Sequence, residues 1–192
     1  MSATDVSIAS NALLMLGKGP ISSFTEVGDG ALITSNLYAQ LRDALLREHN
    51  WHCATKYVVL PPDAVAPPFD YTYAFSLPAD WKRNVQVGQK GNPIEFRVVG
   101  NKIYADDNPL YLAYAFQNTV EATWDDLLVH AMSLKMKHAI AYAITKSATV
   151  RDDAKTELDD FLKKCRAVNG QDEPAQTLGD ERLFNAGFTS GF

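Results

Sequence analysis

Cysteine is scarce: Cys53 and Cys165 are the only two in 192 residues. They lie far apart and form no CxxC spacing, so the sequence shows neither a disulfide framework nor a zinc signature. Free buried thiols, in a protein made in a reducing cytoplasm, fit that usage. Clustered positive charge is also missing. There are 18 Lys and Arg against 23 Asp and Glu, a net charge of −5. A protein that grips nucleic acid through its phosphates needs a basic block. An acidic surface instead suits one past which DNA slides without sticking. No stretch approaches the ~18 apolar residues of a membrane span. The opening Met1-Ser2-Ala3-Thr4-Asp5 lacks the basic-then-apolar pattern of a signal peptide. No GxSxG or HExxH occurs, and Gly28-Asp29-Gly30 is too short for a phosphate loop and lacks its lysine. No metal, cofactor or catalytic set is implied, and the chain is not expected to be an enzyme.

What is present is a hydrophobic fraction of 46%, enough for a core in one or two domains. Helical periodicity predicts a first helix over 5–16, capped by Thr4 and stopped by Gly17 and Pro20. Ile21 and Phe24 then hook back as apolar anchors. A second helix is predicted from 29–31 to 49, with Trp51 plugging the base of the pair. The middle changes character. Tyr57-Val58-Val59-Leu60, residues 71–77, 84–87 and 110–116 are strand-like. Phe96-Arg97-Val98-Val99 and Lys102-Ile103-Tyr104-Ala105 flank Gly100-Asn101, the signal for a two-residue primed hairpin.

A third helix is predicted over 124–146, with Thr123 and Asp126 as a capping box. One stripe carries Trp124, Leu127, Ala131, Leu134, His138 and Ala141. A second carries Leu128, Met132, Met136, Ala139 and Ala143. A helix apolar over this much of its circumference must be covered on two sides. Leu128, Met132, Met136 and Ala139 are therefore the expected subunit interface. A fourth, amphipathic helix is predicted over 150–168, capped by Thr149 and stopped by Gly170. The last stretch is rich in Gly and small polar residues, yet carries Leu178, Leu183, Phe184, Phe188 and Phe192. Segments that order on binding have this composition.

The expected fold is α+β: an antiparallel four-helix bundle with a small antiparallel β module inserted between helices two and three, and an extended C-terminal tail. The expected divisions are 1–53 and 119–170 for the halves of the helical domain, 54–118 for the β module and 171–192 for a docking tail.

Candidate chemistry is thin. His49-x-x-His52-Cys53 groups three possible metal ligands, but at a helix end beside Trp51 and without a fourth partner. His130 and His138 lie on helix three without an acidic partner in a metal motif. Asp106-Asp107-Asn108-Pro109 has the composition of a turn. Glu95 with Asp106 or Asp107 is the one pair that could serve a glycosidase, which needs two carboxyls at a set separation. Lys82-Arg83 is a small basic contact or a solvated turn.

The helix ending Ala12-Leu13-Leu14-Met15-Leu16-Gly17, the hook Ile21-Ser22-Ser23-Phe24 and the helix running into Trp51 come in an order that resembles one family. So do Leu77-Pro78-Ala79-Asp80 after an aromatic strand, and the Tyr-rich strand at 110–116 leading into helix three. It is that of the head-to-tail adaptors of short-tailed bacteriophages, the tail tubular protein A and packaged-DNA-stabilisation proteins. The chain departs from the pattern at Asn50, where many relatives have Pro or Gly, and at His52-Cys53-Ala54, where Asn-Phe-Ala is common.

The resemblance implies a structural virion protein located in the tail, below the portal vertex. It would form a ring, of twelve subunits in the family, that binds the portal protein, extends the DNA channel and retains packaged DNA; in isolation it is expected as a monomer that assembles only on the portal template. It would also provide the platform for the tail tube or nozzle protein, on the β-module side. Double-stranded DNA would pass non-specifically, and no membrane would be involved. On this expectation Leu183, Phe184, Phe188 and Phe192 dock the tail on the portal. The alternatives are a virion-associated cell-wall or polysaccharide hydrolase using Glu95, Asp106 or Asp107, and a regulatory module from a prophage.

Overall fold

Thr4 opens the first helix, α1 (Asp5–Leu14), by accepting from the Ser7 N–H at 3.1 Å, while the Ser7 hydroxyl accepts from the Thr4 N–H at 2.9 Å. Each satisfies a backbone donor that the helix start leaves free. The helix ends two residues before the expected 16, and Gly17 follows at φ 73. The hook is tied down by Ser10, which donates to the Ile21 carbonyl at 2.8 Å and accepts from its N–H at 3.1 Å. The computed structural model describes residues 3–172.

α2 (Asp29–Glu48) ends where His49 turns extended. Trp51 folds back and donates its indole N–H to the Leu45 carbonyl at 3.1 Å. α3 (Asp126–Thr145) starts later than expected. Its cap is Asp125, which accepts from the Leu128 N–H at 2.6 Å, and Thr123 belongs to a preceding short turn. Lys146, left-handed at φ 56, closes α3 before α4 (Ala148–Asp172) begins. α4 runs through Gly170, because one glycine costs only about 1 kcal/mol in a helix.

Between α2 and α3 lie seven strands: β1 (Thr55–Leu60), β2 (Tyr73–Ser76), β3 (Trp81–Gln89), β4 (Asn92–Pro93), β5 (Phe96–Val99), β6 (Lys102–Ala105) and β7 (Leu110–Phe116). They build two antiparallel sheets, ordered β1-β7-β3-β4 and β2-β6-β5. The β5–β6 hairpin has Gly100 at φ 59 while Asn101 is not left-handed, the pattern of a II′ turn.

The expectation of a four-helix bundle carrying a small β module is thereby corrected: the fold is α+β, four helices with a four-stranded and a three-stranded antiparallel sheet. Two causes account for the difference. In the helical half, α1, α2 and α4 each pack on α3, which acts as a hub rather than as one corner of a bundle. In the β half, the nine-residue β3 pairs along β7 through two irregularities, so its polar sequence shows no clean alternation.

Two cores result. The helical core holds Ile8, Leu13, Leu45, Leu46, Trp51, Leu128, Met132, Leu134, Met136, Leu158 and Cys165. The second lies where the inner faces of the sheets meet, with Phe75, Ile103, Leu110, Leu112 and Tyr114. Each fully buried Leu, Ile, Phe or Met contributes about 1.5–3 kcal/mol. Phe116 packs against both clusters. A polar clasp also joins the halves. Asp43 on α2 binds Lys82 at 2.8 Å and Gln117 at 2.9 Å, and Arg47 donates to the Lys82 carbonyl at 3.1 Å. Burial opposes ionisation of Asp43, but its bonds from Lys82 and Arg42 hold the carboxyl below its ordinary range.

Candidate functional site

Several of the residues that chemistry would need, His49, Cys53, His130 and Asp106, are engaged in structural contacts. His49 stacks edge-on against Trp51, ring centroids 4.5 Å apart, and burial followed by the Arg166 and Arg83 charges lowers its pKa. Cys53 donates to Asp125 Oδ2 at 3.3 Å, and burial pushes its thiol up to about 11. It is therefore a thiol, not a thiolate, at neutral pH. His52 is exposed, so the tempting triplet at 49–53 splits into a stacked ring, a solvated ring and a bonded thiol. Among the described residues, no cluster of three His, Cys, Asp or Glu could hold a metal ion.

His130 stacks edge-on against Phe161 at 4.7 Å, while His138 is half-buried. Asp106 caps the strand start at Thr72, accepting from its N–H and its hydroxyl at 2.8 Å each. Glu95 and Asp106 sit one step outside the paired register Phe96↔Ala105, both exposed. Lys82 and Arg83 belong to the joint between the halves, Lys82 on Asp43 and Arg83 on Asn50.

The expected subunit-interface residues require a correction. Leu128, Met132 and Met136 are fully buried in the chain's own helical core and present no surface to a neighbour. The second covering that α3 demanded comes from helices of the same chain. Only Ala139 of that set is exposed. Trp51 is buried as an anchor, and Phe24 is half-buried with its ring 5.7 Å from that of Tyr38. Leu183, Phe184, Phe188 and Phe192 lie outside the described residues.

The features that sequence reading missed are apolar surfaces. On the outer face of the four-stranded sheet, Tyr57 is 83% exposed, Val59 52% and Tyr111 38%. With Gln86 and Ala113 they border a shallow groove of about 170 Å³. In the other sheet all four residues of β5 are exposed, Phe96, Val98 and Val99 among them. A larger groove of about 490 Å³ lies where the hook, the start of α2 and the end of α3 meet, with Leu13, Ile21 and Ile33 on its wall beside Lys18 and Lys146. Glu95 and Asp106 border neither groove. The signal that could have located the sheet surfaces was alternation. In β1 and β7, apolar residues occupy both parities, which a strand with one solvated face does not need.

No helix among the described residues is long and apolar enough to cross a membrane. No protein-family model and no curated protein matches this chain.

Proposed function

We propose that this chain is a structural virion protein, a head-to-tail adaptor that joins the portal to the tail, extends the DNA channel and helps retain packaged DNA. The observation that carries this reading is the set of large apolar side chains standing on free sheet edges, Tyr57 and Val59 on β1 and Phe96 and Val98 on β5. A chain that works alone guards such edges, and one that works by assembly leaves them open. The portal as partner rests on the ordered resemblance of the hook, the Trp51 helix end and the Leu77-Pro78-Ala79-Asp80 landmark.

In this reading the tail, expected over 171–192, docks on the portal through Leu183, Phe184, Phe188 and Phe192, and the β half is the platform for the tail tube or nozzle protein. The mechanism is mechanical. Burial of apolar surface contributes roughly 25 cal/mol per Å², and repetition around a ring turns weak contacts into avidity. The test is light scattering after size exclusion of this protein mixed with its portal ring. A stoichiometric complex is expected, and it should be lost on truncation after Asp172, which keeps α4 whole. Absence of association at any salt concentration defeats the proposal.

A further inference from the structure

We propose that the groove between the hook, the start of α2 and the end of α3 is the docking site for a segment of the chain's own tail, Asp180-Glu181-Arg182-Leu183-Phe184, and holds it until the portal takes it. This deepens the adaptor reading and rests on it for the portal's part.

The groove encloses about 490 Å³, within the range of sites that bury a ligand. Leu13, Ile21, Ile33 and Ile144 give it an apolar wall. Its rim carries Lys18 and Lys146, neither of which makes an ion pair among the described residues. Of the rim acids, Glu26 is turned back to the Ser22 N–H at 2.8 Å, which leaves Asp29. Apolar character continues beside the wall, where Leu14, Val27, Leu32 and Tyr142 are exposed. An occupant that fits therefore carries acids next to large apolar side chains.

Reach selects the occupant. α3 and α4 run antiparallel: Lys137 binds Glu157 at 2.5 Å, and nearer the start of α3 His130 stacks on Phe161. The groove holds Ile144 and Lys146, so it lies at the end of the pair where α4 begins. α4 has 25 residues, which at 1.5 Å each span about 37 Å, and Asp172 lies at the far end. An extended chain advances about 3.3 Å per residue, so about eleven residues bring it back along α4 to the groove. Counted from Asp172, the residue that arrives is Leu183. Asp180 and Glu181 then face Lys18 and Lys146, and Leu183 and Phe184 face the apolar wall. The tether holds the segment at an effective concentration on the order of millimolar, so a contact of modest strength keeps it seated.

Leu183 and Phe184 are also portal anchors in the adaptor reading. One pair of side chains cannot fill both sites at once. The chain alone is closed on itself, and the portal opens it by taking over the same two anchors.

The test is cross-linking in the full chain. Ala143, exposed on the groove wall, and Asn185, beside the anchors, are replaced in one chain, Ala143→Cys with Asn185→Cys, and dilute protein is oxidised with copper phenanthroline. A 143–185 bridge within one chain should form at least about tenfold faster than a 57–185 bridge in Tyr57→Cys with Asn185→Cys. Tyr57 is the exposed control, four residues after Cys53, whose partner Asp125 lies at the opposite end of α3 from the groove. Phe184→Ser, or Lys18→Glu with Lys146→Glu, should each slow the 143–185 bridge at least about tenfold. Equal rates at 143 and 57, a rate that none of these substitutions changes, or bridges between chains alone overturn the proposal. The bridged chain should bind the portal ring at least about tenfold less than the same chain after reduction; equal binding overturns the exchange. Portal capture without the 143–185 bridge removes this docking site and leaves the adaptor reading. The bridge without portal capture, even after reduction, leaves the docking site and defeats the adaptor reading.

Discussion

Met132→Ala separates a core role for α3 from an interface role. Met132 is fully buried, in the cluster that also holds Trp51, Trp124 and Leu158. Truncation removes Cγ, Sδ and Cε, whose transfer from water accounts for about 2 kcal/mol. The unfilled space adds to this, and the expected loss is about 3–4 kcal/mol. For a chain of this size that lowers the melting temperature by roughly 6–16 °C. Ala139→Glu, seven residues along the same helix but exposed, should change stability by no more than about 0.5 kcal/mol. The assay is urea unfolding followed by tryptophan fluorescence at two protein concentrations tenfold apart. The difference between the Met132 variant and wild type should be the same at both. A loss under about 1 kcal/mol, or one that varies with concentration, would refute the assignment of Met132 to the chain's own core.

Three further outcomes are expected. Asp43→Asn weakens the clasp to Lys82 and Gln117 and should cost about 1–2 kcal/mol at pH 7. Because the folded pKa of Asp43 is lowered, its contribution is present above the unfolded value of about 3.9 and disappears as the pH falls below it. Unfolding curves at pH 7 and pH 3 should show the gap closing, and a gap of equal size at both would contradict this. Asp125→Ala removes the α3 cap and the acceptor for Cys53, for about 1–2 kcal/mol by urea denaturation; a neutral variant would show that the cap does not hold the helix start. Cys53 should react with iodoacetamide at pH 8 at least about tenfold more slowly in the folded than in the unfolded chain, since burial raises its pKa to about 11. Equal rates, site-resolved by mass spectrometry, would mean that the thiol is not enclosed.

Local chemistry made much of the fold legible. Thr4, the Gly100-Asn101 hairpin and the strand at Leu110–Phe116 were visible because each depends on neighbours in sequence. Where α3 starts was less legible. Thr123 and Asp125 both offer a cap, and tertiary placement decides between them. The role of α3 was misjudged because periodicity shows that a helix needs cover on two sides but not whose atoms provide it. The extent of the β half was hidden in β3, whose Lys82 and Arg83 are spent on the joint with α2 and Asn50, and whose Asn84 accepts from the Trp81 indole N–H, rather than on a solvated face. Edge status, which makes Val59 and Val98 matter, belongs to strand order and has no local signature.

Because β1 is hydrogen-bonded directly to β7, the chain enters and leaves the β half through one doorway: Thr55 lies opposite Ala115, and Asn118 Nδ2 donates to the Cys53 carbonyl at 2.9 Å. Everything between hangs from that doorway, held against α2 by the Lys82 clasp. A linker of a few residues joining 54 to 117 would close the helical half, just as domains with adjacent termini accept insertion or exchange. The helices could therefore stay fixed through evolution while the β half was replaced wholesale to suit a different neighbour.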